Sequence, residues 1–126
     1  MTAISSPGTT GSGGGRRITT DLANRRSELL FDWDLGGLER LPNGILYGDT
    51  SLARYTIVEG DPLSARVECR TSGGIGRGDW QTRCETESVM TCDADRFLVT
   101  VVVRAFEGEA SVFAQTWTYT FPRDLV

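Results

Sequence analysis

Phe113-Ala-Gln-Thr-Trp117-Thr-Tyr119-Thr-Phe121-Pro-Arg-Asp124 decides the fold. Aromatic residues at 113, 117, 119 and 121 alternate with small or hydroxylated ones, the period-two pattern of a strand with one apolar face. Upstream, Phe97, Val99, Val101, Val103 and Ala105 repeat the pattern, joined to the last strand by the turn Glu107-Gly-Glu109. Trp80, Thr82, Cys84, Met90 and Cys92 share the face opposite Arg83, Glu85 and Glu87, and this strand ends in the turn Asp93-Ala-Asp95. Leu63, Ala65, Val67 and Cys69 alternate with charged or hydroxylated residues ahead of Gly73-Gly-Ile-Gly-Arg-Gly78, which reads as a glycine-rich loop. Four consecutive strands with short connections make an antiparallel meander.

The first half is less regular. Leu29, Phe31, Trp33 and Leu35 oppose Glu28, Asp32 and Asp34, a half-buried strand. Leu41-Pro-Asn43-Gly44-Ile45 contains the Asn-Gly pair that favours a tight hairpin. Tyr55 and Ile57 mark a short strand that ends at Gly60-Asp61-Pro62, because proline donates no ladder hydrogen bond. Ile18 to Arg26 has room for a short helix. Residues 1–20 read as a flexible Gly/Ser/Thr-rich leader and 21–126 as a single antiparallel β domain. The expected class is all-β, an antiparallel meander forming a sandwich or flattened barrel with little or no helix.

Leu98 and Val102 break the alternation by placing apolar side chains on the face that should meet water. Two arrangements explain this. Residues 27–59 can fold over the meander as a second layer, or Leu98 and Val102 can form a docking face for another domain or subunit.

Composition restricts the chemistry. The chain of 126 residues has no histidine, and all 13 of its basic residues are arginines against 17 acidic ones. That removes the commonest general base and the amine nucleophile, together with Ser-His-Asp and Cys-His arrangements. A net charge of -4 with dispersed arginines argues against nucleic acid as a partner. Cys69, Cys84 and Cys92 lack the close spacing of a metal grip and point inward with the apolar residues, so reduced, buried thiols in a cytoplasmic protein are expected. No metal or cofactor is expected. No apolar run reaches membrane-spanning length, and residues 1–15 lack the basic and apolar regions of a signal peptide.

The acidic pairs Asp32/Asp34, Glu85/Glu87 and Asp93/Asp95 have the residue types of calcium or glycosidase sites, but alternation produces such pairs on any solvated strand face. Arg77-Gly78-Asp79 spells an integrin-type tripeptide, which in this acidic chain reads as a chance turn sequence. Trp33, Trp80, Trp117 and Tyr119 are read as core residues, and Trp80→Ala as a loss of about 3–5 kcal/mol. In a barrel the same four would line a small-ligand cavity.

Gly60-Asp-Pro-Leu-Ser-Ala65, Gly76-Arg-Gly-Asp-Trp80-Gln-Thr-Arg83, Ala105-Phe-Glu-Gly-Glu109, Val112-Phe113, Trp117 and Pro122-Arg-Asp124 together resemble the C-terminal β region of bacterial CocE/NonD-type hydrolases, the cocaine esterase and X-Pro dipeptidyl-peptidase group. The likeness covers roughly the last hundred residues as short shared words. Those enzymes join an α/β-hydrolase core bearing a serine, aspartate and histidine triad to β-rich accessory modules. This chain has neither a Gly-x-Ser-x-Gly elbow nor a histidine, so no triad residue carries over. The resemblance implies a non-catalytic accessory module acting by packing and docking, with an α/β-hydrolase domain or a homo-oligomer as its partner. A stand-alone small-ligand-binding β-barrel is the alternative.

Overall fold

The computed structural model describes residues 15–34 and 38–124. They form one antiparallel sheet of eight strands: β1 (Gly15–Asp21), β2 (Arg26–Asp34), β3 (Glu39–Arg40), β4 (Leu46–Val58), β5 (Asp61–Arg77), β6 (Trp80–Cys92), β7 (Arg96–Glu107) and β8 (Ala110–Pro122). The order across the sheet is β1-β2-β4-β5-β6-β7-β8, with the two-residue β3 paired to β4. The all-β antiparallel meander expected from the alternation is what forms, and no helix occurs among the described residues. The sheet does not close, since every strand touches only its neighbours in that order.

Local chemistry sets the turns. Gly78 and Gly108 have φ of 57° and 59° and each is the first central residue of a two-residue hairpin loop, the position where a type II′ turn requires glycine. In the β6–β7 turn Asp93 Oδ1 accepts the N–H groups of Asp95 and Arg96, both at 2.8 Å. Asp21 Oδ1 similarly accepts from Ala23 and Asn24 between β1 and β2, where Arg25 takes up a positive φ of 55°. The Asn-Gly hairpin is present, with Gly44 at φ 87° and Asn43 Oδ1 accepting the Ile45 N–H at 3.1 Å.

Four expectations change. The glycine-rich segment from Gly73 is not a loop: it continues β5 as far as Arg77, and only Gly78 and Asp79 turn. Its glycines let strands approach closely. A Cβ on Gly74 would stand 3.1 Å from the Thr82 carbonyl oxygen, and one on Gly76 would run into the Gln81 side chain lying over it. The helix allowed for Ile18 to Arg26 is replaced by β1 and its turn, and Gly15 to Thr20, assigned to the leader, belong to that strand. Residues 1–14 lie outside the described residues. Finally, the described part of residues 27–59 extends the same sheet through β2, β3 and β4 and does not fold over it as a second layer.

Cross-strand register then assigns every side chain to one of two faces. Ile18, Leu29 and Tyr55 form one row; Trp33, Ser51, Thr71, Thr86, Val103 and Gln115 form another. The expected apolar residues of all the long strands therefore share a single face. Nothing in the described chain covers it: among the described residues no hydrophobic side chain is buried, and the buried polar side chain, Thr56 at 8% exposure, lies on the opposite face between Glu28 and Arg66.

Candidate functional site: an open aromatic face

The aromatic face carries three recognisable clusters. Phe31 and Tyr55 meet edge to face at 6.0 Å and 82°, an arrangement the ring quadrupoles favour. Tyr119 and Phe121 stack at 6.2 Å, and Phe113 and Trp117 lie 6.4 Å apart. Trp33 is 55% exposed, Trp80 52% and Tyr119 46%; Trp117 is half-buried. Their face is the one the alternation assigned them, but the expectation of core burial is overturned for Trp33, Trp80 and Tyr119, because no second layer of the described chain lies opposite. Nor do the four gather around one point: Trp33 is on β2 and Trp117 on β8, five strand steps apart, roughly 24 Å at the usual spacing.

Formal charges avoid the centre of this face. Arg16, whose guanidinium lies 5.9 Å from the Phe31 ring centroid, is at the β1 edge. Glu39, Asp49, Arg77 and Glu107 are towards the end where β5 turns into β6, and at the opposite end Arg123 lies 5.2 Å from the Phe97 ring centroid and donates to Cys92 Sγ. Between the Trp33 row and the Phe121 row, from β2 to β8, the inward pattern holds only apolar, hydroxyl, thiol and amide side chains. Seven strands about 4.8 Å apart, sharing about nine residues of length, give a face of roughly 1,000 Å². A stable protein interface needs about 800 Å² per partner.

The opposite face is ionic. Arg54 and Glu68 are direct cross-strand partners 3.4 Å apart, Arg66 reaches Glu68 at 2.7 Å, and Glu28 approaches Arg54 Nε at 3.4 Å. That Nε is buried without a hydrogen bond; Glu28 supplies charge at the right distance but not in a bonding direction. Hydrogen bonds from Arg66 first, and then from Arg54, hold the Glu68 carboxyl below the ordinary glutamate range. Arg70 and Arg104 both approach Glu87, at 3.7 and 3.6 Å, and Arg83 pairs with Glu85 at 3.3 Å while stacking on Phe106 at 4.3 Å. Each exposed pair contributes little, but the lattice explains why this side meets water. Leu98 and Val102 belong to this ionic face, half-buried, opposite Thr91 and Glu87 on β6.

Glu85, Glu87 and Asp93 are thereby accounted for, whereas the Asp34 side chain lies outside the described residues. Glu85 and Glu87 are neutralised by arginines, and Asp93 binds backbone N–H groups and Arg96, which hold its carboxyl below the ordinary aspartate range. No cluster of three potential metal ligands exists among the described residues. Arg77 ends β5, and Gly78-Asp79 forms the tight turn after it. The three thiols are free and share the aromatic face; Cys69 and Cys92 are half-buried, while Cys84 is exposed, against the expectation of burial.

An open concavity of about 890 Å³ lies over the aromatic face where Leu41, Ile45 and Tyr47 meet Ile75, Cys84 and Val112. It is predominantly apolar, and none of Trp33, Trp80, Trp117 or Tyr119 lines it. Sequence reasoning missed it because it depends on the β3–β4 hairpin standing beside the glycine tract. Gly73 and Gly74 put no side chains into that space, and only the register with β4 shows it. No family model, characterised protein or solved structure matches the chain.

Proposed function

We propose that this chain is a non-catalytic accessory β module of the kind its sequence resembles, acting by packing its aromatic face against the surface of an α/β-hydrolase domain. The observation that carries this reading is the face itself: roughly 1,000 Å² of sheet, uncharged at its centre, rich in exposed aromatic residues and uncovered by the described chain. A sheet with an apolar face needs a second layer to bury it, and exposed apolar patches larger than a few hundred Å² mark interaction surfaces. The uncharged centre favours an apolar partner surface over an acidic or basic one. The resemblance of its short words to CocE/NonD-type hydrolases supports that partner class, and in this reading the serine chemistry belongs to the partner, since the chain has no histidine.

The test is capture of a hydrolase identified by its chemistry. The chain is mixed with extract of its source, and co-eluting proteins are labelled with a fluorophosphonate, which reacts only with an activated serine. A labelled protein whose capture is lost in Tyr55→Glu and Tyr119→Glu but kept in Leu98→Glu and Val102→Glu supports docking through the aromatic face. Capture that depends on Leu98 and Val102 moves the docking surface to the ionic side, and absence of any labelled protein contradicts the reading.

The concavity beside Tyr47 favours a second reading, binding of a small apolar ligand. A long-chain fatty acid or anilinonaphthalene sulfonate that binds in a manner abolished by Ile75→Glu, with no protein partner captured, would favour it.

A further inference from the structure

β8 is the last strand in the order and has a neighbour on one side only among the described residues. Its backbone parity follows from two hydrogen bonds. Arg123 N–H donates to the Asp95 carbonyl at 2.8 Å, one step beyond the Arg96–Pro122 position of the ladder. Asp93 N–H donates to the Arg96 carbonyl at 3.0 Å, at the matching end of the β6–β7 ladder. Bonded and non-bonded positions alternate along antiparallel strands. Odd-numbered residues from Phe113 to Phe121 therefore bond to β7, and Ala114, Thr116, Thr118 and Thr120 turn their N–H and C=O groups outward.

Such an edge is a template for another strand, and proteins usually blunt it with charges, proline, bulges or short length. β8 has almost none of these defences. It is 13 residues long, carries no charged residue, holds its proline at the final position, and has its bulge on the N-terminal side of Phe113. The opposite edge, β1, is 7 residues long and contains Arg16, Arg17 and Asp21.

We propose that β8 pairs antiparallel with β8 of a second copy, about a two-fold axis beside Trp117. The register follows from the free groups. Setting Ala114 opposite Thr120 and Thr116 opposite Thr118 uses all four outward residues of each strand. A shift of two residues in one direction brings Pro122, which has no N–H, opposite Ala114, and a shift in the other runs Thr120 into the bulge at Val112. In the chosen register Trp117 meets its own copy, Phe113 meets Phe121 and Gln115 meets Tyr119, pairings that stabilise antiparallel sheets. No like charges oppose each other. The two aromatic faces end on the same side of one continuous sheet, so this pairing is independent of what covers them.

Light scattering of the purified chain across a dilution series tests the proposal. The expected mass at high concentration is twice 13.8 kDa, falling to the single mass in Thr118→Pro, which removes one outward N–H and leaves the β7 bonds intact, with an unchanged far-ultraviolet spectrum. Should that variant fail to fold, amide exchange of the unaltered chain decides: the Thr116 and Thr118 amides are expected to exchange at least tenfold more slowly at high concentration than after dilution. A chain that stays at 13.8 kDa overturns the proposal, whatever other strand its edge accepts. So does a dimer that survives Thr118→Pro and is lost in Tyr55→Asp, or a dimer whose Thr116 and Thr118 amides exchange as fast as those of the turns.

Discussion

Phe31 and Tyr55 meet edge to face, 6.0 Å apart across β2 and β4, on a surface that no other part of the described chain covers. Tyr55 remains 42% exposed and Phe31 37%. Such pairs ordinarily belong to cores, and here they sit on a candidate docking face.

Truncating these residues should cost little in the isolated chain. Trp80→Ala, with about half of the side chain already exposed, is expected to lower stability by about 1 kcal/mol, against about 3–5 kcal/mol for a buried tryptophan. Urea unfolding followed by circular dichroism measures the difference, and a loss above 3 kcal/mol would mean that Trp80 is covered.

Turn glycines should matter more than strand glycines exposed to open space. Gly78→Ala and Gly108→Ala force a side chain into positive φ and should each cost about 1–2 kcal/mol. Gly15→Ala, where a Cβ meets nothing within 4 Å and φ is ordinary, should be neutral or slightly stabilising. Equal midpoints for the three variants would argue against the assigned turns.

Acid should weaken the sheet through specific carboxylates. Asp93 is held low by backbone hydrogen bonds from Asp95 and by Arg96, Asp21 by Asn24, and Glu68 by Arg66. A depressed folded value means stability that is present above the unfolded value and lost as pH falls through the folded one. Unfolding midpoints should therefore hold steady above pH 5 and decline below the ordinary values of 3.8 and 4.5, with a shallower decline in Asp93→Asn. Tyr47 works in the opposite direction: it donates to Glu39 at 2.9 Å, which raises its phenol above 10.0. That contribution is complete below the unfolded value and disappears as pH rises through the raised one. Ultraviolet titration should find a late-ionising component that is normalised by Glu39→Gln.

The Arg54–Glu68 pair should show a coupling of about 0.5–1 kcal/mol in a double-mutant cycle, reduced in 1 M salt. A coupling that is zero at low salt would leave the ionic face without its proposed energetic role.

Much of the fold was legible because alternation reports which residues share a face. Phe97 to Ala105 and Phe113 to Phe121 lie where their period placed them, and a turn forms at Asn43-Gly44, although only Gly44 takes a positive φ and the loop closes between Leu41 and Ile45. Alternation does not report what lies opposite the face. Trp33, Trp80 and Tyr119 have the same pattern whether a second layer is present or absent, so their exposure could not be read from the chain. The Gly73–Gly76 segment misled for a related reason: glycine marks loops and close strand approach alike, and only the register with Gln81 and Thr82 distinguishes them. Leu98 and Val102 suggested two covered faces; they lie half-buried on the face opposite the aromatic one, Leu98 between Thr91 and Thr120 and Val102 beside Glu87.

Acrylamide quenching of the tryptophans, in variants retaining only Trp33 or only Trp80 and at concentrations low enough to exclude self-association, tests the open aromatic face most directly. Both should emit near the wavelength of solvated indole and be quenched at rates close to those of an exposed residue. Blue-shifted emission protected from quencher in the isolated chain would show that the face is already covered, and would contradict the account.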